Sequence, residues 1–508
     1  MFFATFLALL AAFYYIYEYL YRRFRYYPRG PLSFPMIGNC YIAGTPDISA
    51  MGWKWNELGR KYGGMVTMWA PWKHYVLVTD YDLMHEAFVK HGDLFVDRDR
   101  LYLWELLLGR HHAGITFASG PLWREQRRFA LHVLRDFGFG RATMEDKINS
   151  DLDRLLEHLN EKLTAAPSEP IDMEHPINVM VASISANILL EQRYEFANDA
   201  LFNQLKALDD RMLRLSSRKI TQWLQITPWA RYMPLFGRFG YDEAIKLSAD
   251  MRRFFGAQIE KQATLLERTD YQQAPTNYTQ AFLHEMRRRQ RNGQPVGSFT
   301  RDQLFSVVFT LWAAGVDMTT YALRWLLLLM GLYPDVQQRC FDEIANVLGV
   351  ESRVQSADRQ RLPFINAVIH ETLRFADMFA FNMMRVAAAD ITIGTFRIRK
   401  GTVLMPHISA VHRDERFFPS PSSFRPDRFI TNDGRFDSAL AEKVVAFSMG
   451  RRACLGEGLT RMELLIFFVT LLQQYKFTLV KQATVDYHCH EFRLFRKPLP
   501  HKFQISRR

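Results

Sequence analysis

The strongest constraint on the fold is an apolar helical pattern that runs without interruption from Asp302 to Leu332. At 1.5 Å per residue such a helix is about 45 Å long. It ends at Tyr333-Pro334, because the residue before a proline disfavours the helical conformation. Asp317 stands in the middle of the pattern, and a carboxylate in so apolar a helix is costly unless it is used or paired.

Other patterns predict the rest of the secondary structure. Helical periodicity covers residues 143–163, 175–190, 241–266 and 459–474, and β-like runs cover 65–69, 75–79 and 391–398. Strand patterns occur only in the early and late parts of the chain, which excludes an alternating βαβ order. The predicted fold is therefore mainly α with a little sheet.

Composition narrows the class of protein. The 508 residues are 48% hydrophobic and 23% charged, which is typical of a folded chain and excludes disorder and collagen. The four cysteines form no disulfide framework and no CxxC pair, which indicates a reducing compartment. Lysine and arginine (65) exceed aspartate and glutamate (53) by 12, which suits an acidic protein partner or an anionic membrane surface. No nucleic-acid motif is present, so nucleic acid is not an expected partner.

The N-terminus predicts a membrane anchor. Residues 1–17 carry no charge, and the first basic cluster begins at Arg22. About 20 apolar residues cross a bilayer, and basic flanks stay cytosolic. Residues 1–21 are therefore predicted to be an uncleaved signal-anchor helix, with a buried N-terminal helix as the alternative.

The rest of the chain is predicted to form a hinge and one large body. The basic, proline-rich residues 22–44 predict a stiff, extended hinge. Residues 45–508 contain no further linker and no repeat, and they exceed the usual size of a single core. A large buried cofactor would help to explain how such a body is organised.

The most specific motif is Phe447-Ser448-Met449-Gly450-Arg451-Arg452-Ala453-Cys454-Leu455-Gly456-Glu457. Its glycines allow the backbone to turn tightly and to approach something flat and bulky. The helical run after Gly456 places Cys454 near a helix N-terminus, where the helix dipole favours a thiolate. A low-pKa thiolate suits a soft axial ligand to iron, whereas the alternative is a buried structural cysteine.

This motif resembles the haem-ligand loop of the cytochrome P-450 family. The resemblance extends over essentially the whole chain and is closest to the animal microsomal class that oxidises drugs and lipids, and residues 92–98 suggest an invertebrate member. It implies a mainly α fold with a small β-rich lobe near the N-terminus. It also implies that haem b is bound with Cys454 as its axial thiolate, and that one atom of dioxygen enters an apolar substrate such as a steroid, a fatty acid or a xenobiotic.

Further positions resemble other parts of the family. Glu371 and Arg374 lie three apart on one predicted helix face, where opposite charges pair. With Arg428 they resemble the family's structural Glu-Arg-Arg network. The expected haem contacts come from Phe447, Gly456 and the residues that resemble partners of the two haem propionates, namely Arg98, Trp123, Arg127, Arg385 and Arg452.

The centre of the long helix, Ala313 to Thr320, resembles the family's oxygen-activating helix. This implies that Asp317 and Thr319 deliver protons to the oxygen that the haem reduces. The alcohol expected directly after the acid is replaced by Met318. Thr319 lies about 100° further round the helix, so a local bulge would bring its hydroxyl into place, and a water held by Asp317 is the alternative route.

The resemblance also implies partners and a location. Electrons would come from an NADPH-dependent flavoprotein reductase, with a small cytochrome as a further donor, at the endoplasmic reticulum membrane with the catalytic domain in the cytosol. Basic contacts for the reductase are expected at Arg124, Arg128, Lys443 and Arg451. Two other functions stay open: a haem-thiolate isomerase or dehydratase that acts on a peroxide without a reductase, which Met318 favours, and a non-catalytic haem sensor or carrier.

Overall fold

The computed structural model describes residues 5–6, 9–10, 12–13, 16–17, 27–34, 38–39, 48–70, 73–137, 142–197, 199–218, 221, 224–225, 228–233, 240–268, 271, 274–480 and 495–508. The predicted anchor at 1–21 lies largely outside these residues. The described helices, in chain order, are α1 (Ile48–Tyr62), α2 (Tyr81–His85), α3 (Tyr102–Leu108), α4 (Gly120–Asp136), α5 (Ala142–Ala165), α6 (Glu174–Leu190), α7 (Ala200–Ser217), α8 (Tyr241–Arg268), α9 (Tyr278–Arg291), α10 (Arg301–Leu332), α11 (Pro334–Val347), α12 (Pro363–Ala376), α13 (Ile408–His412), α14 (Ser438–Ala441) and α15 (Glu457–Gln474).

The strands are short and few in comparison. They are β1 (Met65–Trp69), β2 (His74–Val78), β3 (Asp97–Arg98), β4 (Arg385–Val386), β5 (Ile391–Ile393), β6 (Phe396–Ile398), β7 (Val403–Pro406), β8 (Tyr475–Leu479) and β9 (Phe503–Arg507). The prediction of a mainly helical fold is therefore confirmed. Each helix predicted from periodicity is observed within about two residues of its expected ends.

The chain divides into two compact units. The β-rich unit comprises residues up to Asp99, Phe379–Asp414 and Phe447–Ala453, and the helical unit comprises Arg100–Met378, Glu415–Ala446 and Cys454–Arg508. The expected β-rich lobe thus combines N-terminal strands with strands from much later in the chain.

A five-stranded sheet in the order β1-β2-β7-β4-β3 forms the β-rich unit. Only the β2–β7 pair is parallel among its strands. Val66, Met68 and Leu77 are buried there, and Trp55 and Leu58 of α1 pack against them. The sheet is stable because α1 covers one of its apolar surfaces.

The described part of the predicted hinge is packed on this sheet. The Thr67 hydroxyl of β1 donates to the Pro28 carbonyl at 2.6 Å, and the Trp69 backbone N–H donates to Asn39 Oδ1 at 2.8 Å. The Asn39 side chain in turn donates to the Leu32 carbonyl. Residues 28–34 and 38–39 are therefore held against β1 within the β-rich unit.

The helical unit is built around α10. Thr300 caps its N-terminus by accepting a bond from the Gln303 backbone N–H, and Pro334 begins the next helix. α10 is long and apolar enough to cross a membrane, but 78% of its most apolar window is buried within the fold. It packs against α6, α12 and α15, so α10 is a core helix.

Candidate active site

The cysteine motif forms a tight loop before α15. Within the β-rich unit, residues Gly450–Arg452 make one 3₁₀ turn, and Gly450 has a φ of +71°. A Cβ atom added to Gly450 would lie 1.7 Å from the Phe88 carbonyl oxygen, so only glycine fits this position. The expectation of a tight backbone turn in the motif is confirmed at this glycine.

In the helical unit, Cys454 lies three residues before α15. Cys454 keeps some exposure to solvent, but protein atoms surround its sulfur. The loss of hydration at the sulfur is the largest effect on the thiol, and it raises the pKa. The pKa of the thiol is lowered by hydrogen bonds from the backbone N–H groups of Gly456 and Glu457 and by the positive charge of Arg127. The helix terminus alone therefore does not produce the expected low-pKa thiolate, whereas coordination to a metal deprotonates a thiol outright.

Three arginines expected to contact haem propionates are buried in the β-rich unit. Arg98 of β3 stands directly opposite Arg385 of β4 in the sheet register. Arg98 donates to the Met383 and Met384 carbonyls, Arg385 to the Ser448 hydroxyl and the Met449 carbonyl, and Arg452 to the Val96 carbonyl. Like charges directly opposite each other are destabilising, so this cluster favours a nearby anion.

The fourth arginine lies on α4 in the helical unit, one turn from a tryptophan. Arg127 stands over the Trp123 ring, with its guanidinium carbon 6.0 Å from the ring centroid. Trp123 is buried, and burial lowers the pKa of Arg127 while the Cys454 sulfur raises it. Trp123, Arg127 and Cys454 are thus brought together within this unit.

One face of the central part of α10 is open, although most of the helix is buried. Leu311, Ala314, Gly315 and Met318 share this face and keep partial or full exposure, whereas Asp317 and Thr319 are buried on either side. The methionine therefore takes the open position, and no bulge interrupts α10 to bring Thr319 round to it. A Cβ atom added to Gly315 would lie 3.0 Å from Ser185 Oγ of α6, so its missing side chain also permits the close approach of α6.

The Thr319 hydroxyl is bonded to a residue that the motifs did not indicate. It contacts the Glu463 carboxyl on α15, which is fully buried, and desolvation raises the pKa of that carboxyl to about 8. Asp317 is bonded to a second unpredicted residue, Asp209 of α7. The sequence did contain a signal for Asp209. Asp209 lies on the apolar face of an amphipathic helix with Leu205, Leu208 and Met212, which indicates a buried carboxyl group.

We expect the stability of the protein to depend on pH through Glu463. Its folded pKa of about 8 exceeds the ordinary value of 4.5, so the folded state binds the proton more tightly. Stability should therefore fall by about 1.4 kcal/mol per pH unit as the pH rises from 4.5 to 8. In denaturant unfolding, Glu463→Gln should remove this slope and be the more stable protein at pH 8. The exposed Glu442→Gln is the control, and an unchanged slope in Glu463→Gln would contradict the assignment.

Glu371, Arg374 and Arg428 are brought together in the helical unit. Arg374 donates to both carboxylate oxygens of Glu371 at 2.7 Å, and all three side chains are buried or nearly so. Arg428 Nε lies 3.1 Å from Glu371 Oε2, and Arg374 also donates to the Pro421 carbonyl. Because α12 carries Glu371 and Arg374, this network ties α12 to the irregular segment around residues 419–428.

Comparison with known proteins decides the family. The Cytochrome P450 family profile matches residues 28–505. The chain belongs to the cytochrome P450 family. It is similar to mouse (Mus musculus) Cytochrome P450 2D9, with 34% identity over 89% of this chain and 86% of the relative. It is also similar to hamster (Mesocricetus auratus) Cytochrome P450 2D28, with 33% identity over 91% and 89%, and to human (Homo sapiens) Cytochrome P450 2J2, with 32% identity over 90% and 86%.

The family fixes the class of chemistry. Cytochromes P450 bind haem b through a cysteine thiolate, and this enzyme is a membrane-bound haem-thiolate monooxygenase. The residues described above fit that cofactor. A Cβ atom added to Gly456 would meet no atom within 4 Å, so the backbone beside Cys454 is open on that side. The buried arginines match the two negative charges that such a group carries.

Proposed function

We propose that Cys454 would hold the haem iron through its thiolate and that the enzyme inserts one atom of dioxygen into an apolar small molecule. The observation that carries this assignment is the position of Cys454, with the N–H groups of Gly456 and Glu457 directed at its sulfur. The bound haem supplies the chemistry of oxygen activation. Arg98, Trp123, Arg127, Arg385 and Arg452 would hold its propionates, and Phe447 and Gly456 would contact its ring.

The test uses the full-length enzyme with a flavoprotein reductase in vesicles. Spectral shifts across steroids, fatty acids and drugs identify a ligand, which is then turned over under ¹⁸O₂. We expect one labelled oxygen atom per product and no product without NADPH or reductase. Turnover of a hydroperoxide without NADPH, with both oxygen atoms retained, would support the isomerase instead, and binding without NADPH use would support a carrier.

We assign the transfer of protons to Asp317 rather than directly to Thr319. The Thr319 hydroxyl is hydrogen-bonded to Glu463 of α15 and lies to one side of the open face of α10. Thr319 therefore helps to hold α10 against α15. Met318 occupies the open face, and a thioether accepts hydrogen bonds weakly and donates none. Protons therefore reach the oxygen from Asp317 through water or through the hydroxyl of a substrate.

We expect Met318→Thr to improve coupling. A hydroxyl on the open face of α10 supplies the donor that a thioether lacks, so the share of NADPH that yields product should rise and peroxide release should fall. The expected gain is about two- to tenfold, below the range for a full general acid. Product, NADPH consumption and peroxide are measured together, with Met318→Leu as the control for lost thioether packing. A Met318→Thr enzyme no better coupled than Met318→Leu would refute the role of this position.

The reductase is proposed as the electron donor because of the family and the charge of the chain. Arg124 and Arg128 are exposed one turn apart on α4, and the net charge of +12 suits an acidic partner. Lys443 is half-buried, and Arg451 is exposed with an ion pair to Asp93 at 3.1 Å. A small cytochrome is the second proposed donor at these basic positions.

The membrane topology is also a proposal. The uncharged residues 1–17 and the basic cluster from Arg22 support a single-pass anchor in the endoplasmic reticulum membrane, with the catalytic domain in the cytosol. Protease added to sealed microsomes should then digest the catalytic domain. Protection of that domain would refute this orientation.

A further inference from the structure

Four ionisable side chains meet where α7 lies against the centre of α10. Asp317 of α10 is hydrogen-bonded to Asp209 of α7, and both carboxyl groups are at least 95% buried. Lys206 Nζ lies 3.6 Å from Asp209 Oδ2 and 3.0 Å from Asp210 Oδ1. Among the described residues, the charged groups that act most strongly on Asp317 are Asp209, Lys206 and Asp210, all on α7.

Two buried carboxyl groups in contact cannot both be ionised at low cost. Burial raises the pKa of Asp317 well above its ordinary range, and the neighbouring Asp209 raises it further. Burial also raises the pKa of Asp209 to about 6, while Lys206 opposes that shift. At neutral pH the proton therefore resides on Asp317, and the anion resides on Asp209, where the Lys206 ammonium balances its charge.

The cluster also has an outer end. The Lys206 and Asp210 side chains are each 32% exposed, whereas the two carboxyl groups behind them are buried. Asp317 is adjacent to Met318 on the open face of α10, where no hydroxyl is available. The cluster thus reaches solvent at Lys206 and Asp210, whereas Asp317 lies at its buried end.

We propose that Asp209 is a positioning residue that keeps Asp317 protonated for monooxygenation, with Lys206 stabilising the pair after the proton has left. This inference rests on the proposed function. One turnover consumes dioxygen, two electrons from NADPH and two protons, and it forms the hydroxylated product and one water. Asp317 gives up its proton through its O–H bond and is reprotonated from solvent by way of the exposed end of the cluster.

The decisive variant is Asp209→Asn, which removes the negative charge beside Asp317 and so lowers the pKa of that carboxyl. Each unit by which that pKa falls reduces the protonated fraction about tenfold at high pH. Product formed per NADPH should therefore fall more at pH 8 than at pH 6, by up to about tenfold for each unit by which that pKa falls. Asp209→Glu should restore coupling at pH 8. The control is Asp250→Asn, which breaks the partly exposed pair with Arg211 between α7 and α8 and should change coupling less than about twofold at both pH values.

A second measurement does not depend on turnover. Infrared spectra in H₂O and D₂O should reveal a protonated carboxyl group at pH 7 that is absent in Asp317→Asn and that titrates at lower pH in Asp209→Asn. An unchanged titration and an unchanged pH profile in Asp209→Asn would overturn the proposal. A wild-type enzyme that has the carboxyl signal but makes no NADPH-dependent product would refute the proposed function, and with it the role of the pair in proton supply.

Discussion

A Cys454→Ser enzyme is expected to lose the thiolate-type carbon monoxide spectrum and its monooxygenase activity. Serine replaces a soft thiolate with a hard hydroxyl that stays protonated at neutral pH, so it neither ligates iron in the same way nor donates electron density that favours cleavage of the O–O bond. We expect activity to fall more than about a hundredfold, the upper range for loss of an outer-shell partner of a metal ligand. Haem content and the carbon monoxide difference spectrum are measured on the same preparation.

The chain offers a control for this substitution. Cys340 of α11 is completely buried, and burial raises the pKa of its thiol well above the ordinary range. Cys340→Ala should retain the spectrum and the activity, with only a loss of packing. A Cys454→Ser enzyme that keeps both the thiolate spectrum and product formation would refute the central assignment.

The second large effect is expected at Glu371. Glu371→Gln leaves the buried Arg374 and Arg428 guanidinium groups without their shared carboxylate. Removing one partner of a buried ion pair costs about 3–5 kcal/mol, because the remaining charge stays buried and uncompensated. Denaturant unfolding and haem retention should both report this loss.

An exposed pair in the same unit serves as the comparison. Arg339 donates to both carboxylate oxygens of Asp427, at 3.1 and 2.7 Å, but the two side chains are 50% and 58% exposed. Asp427→Asn should therefore cost no more than about 1 kcal/mol, because solvent screens the interaction. If Glu371→Gln and Asp427→Asn lost the same free energy of unfolding, burial of the Glu371 network would contribute nothing to stability.

The predictions that succeeded depend on local rules. The ends of α10 follow from an apolar run, the Thr300 cap and Pro334, all of which are adjacent in sequence. The contact between Glu371 and Arg374 follows from their spacing of three on one helix. The turn at Gly450 belongs to a motif so specific that its presence alone indicates the class of site.

Other features depend on which elements pack together. Residues 28–34 and 38–39 were predicted to be a stiff, extended hinge from their prolines alone, and that local pattern does not indicate that Thr67 and Trp69 of the β-rich unit bind them. Helical geometry places Thr319 about 100° beyond Met318. It does not indicate that α15 presents Glu463 to the Thr319 hydroxyl.

The sequence by itself therefore determined the helices, the family and the residue types at the site, because periodicity, caps and motif spacing are properties of neighbouring residues. Only the tertiary structure decided which carboxyl groups meet in the interior of the helical unit. Asp209 and Asp317 are far apart in the chain, and their carboxyl groups share a site because α7 packs on α10. Burial and a like charge then favour protonation of Asp317, and neither effect exists until the two helices are in contact.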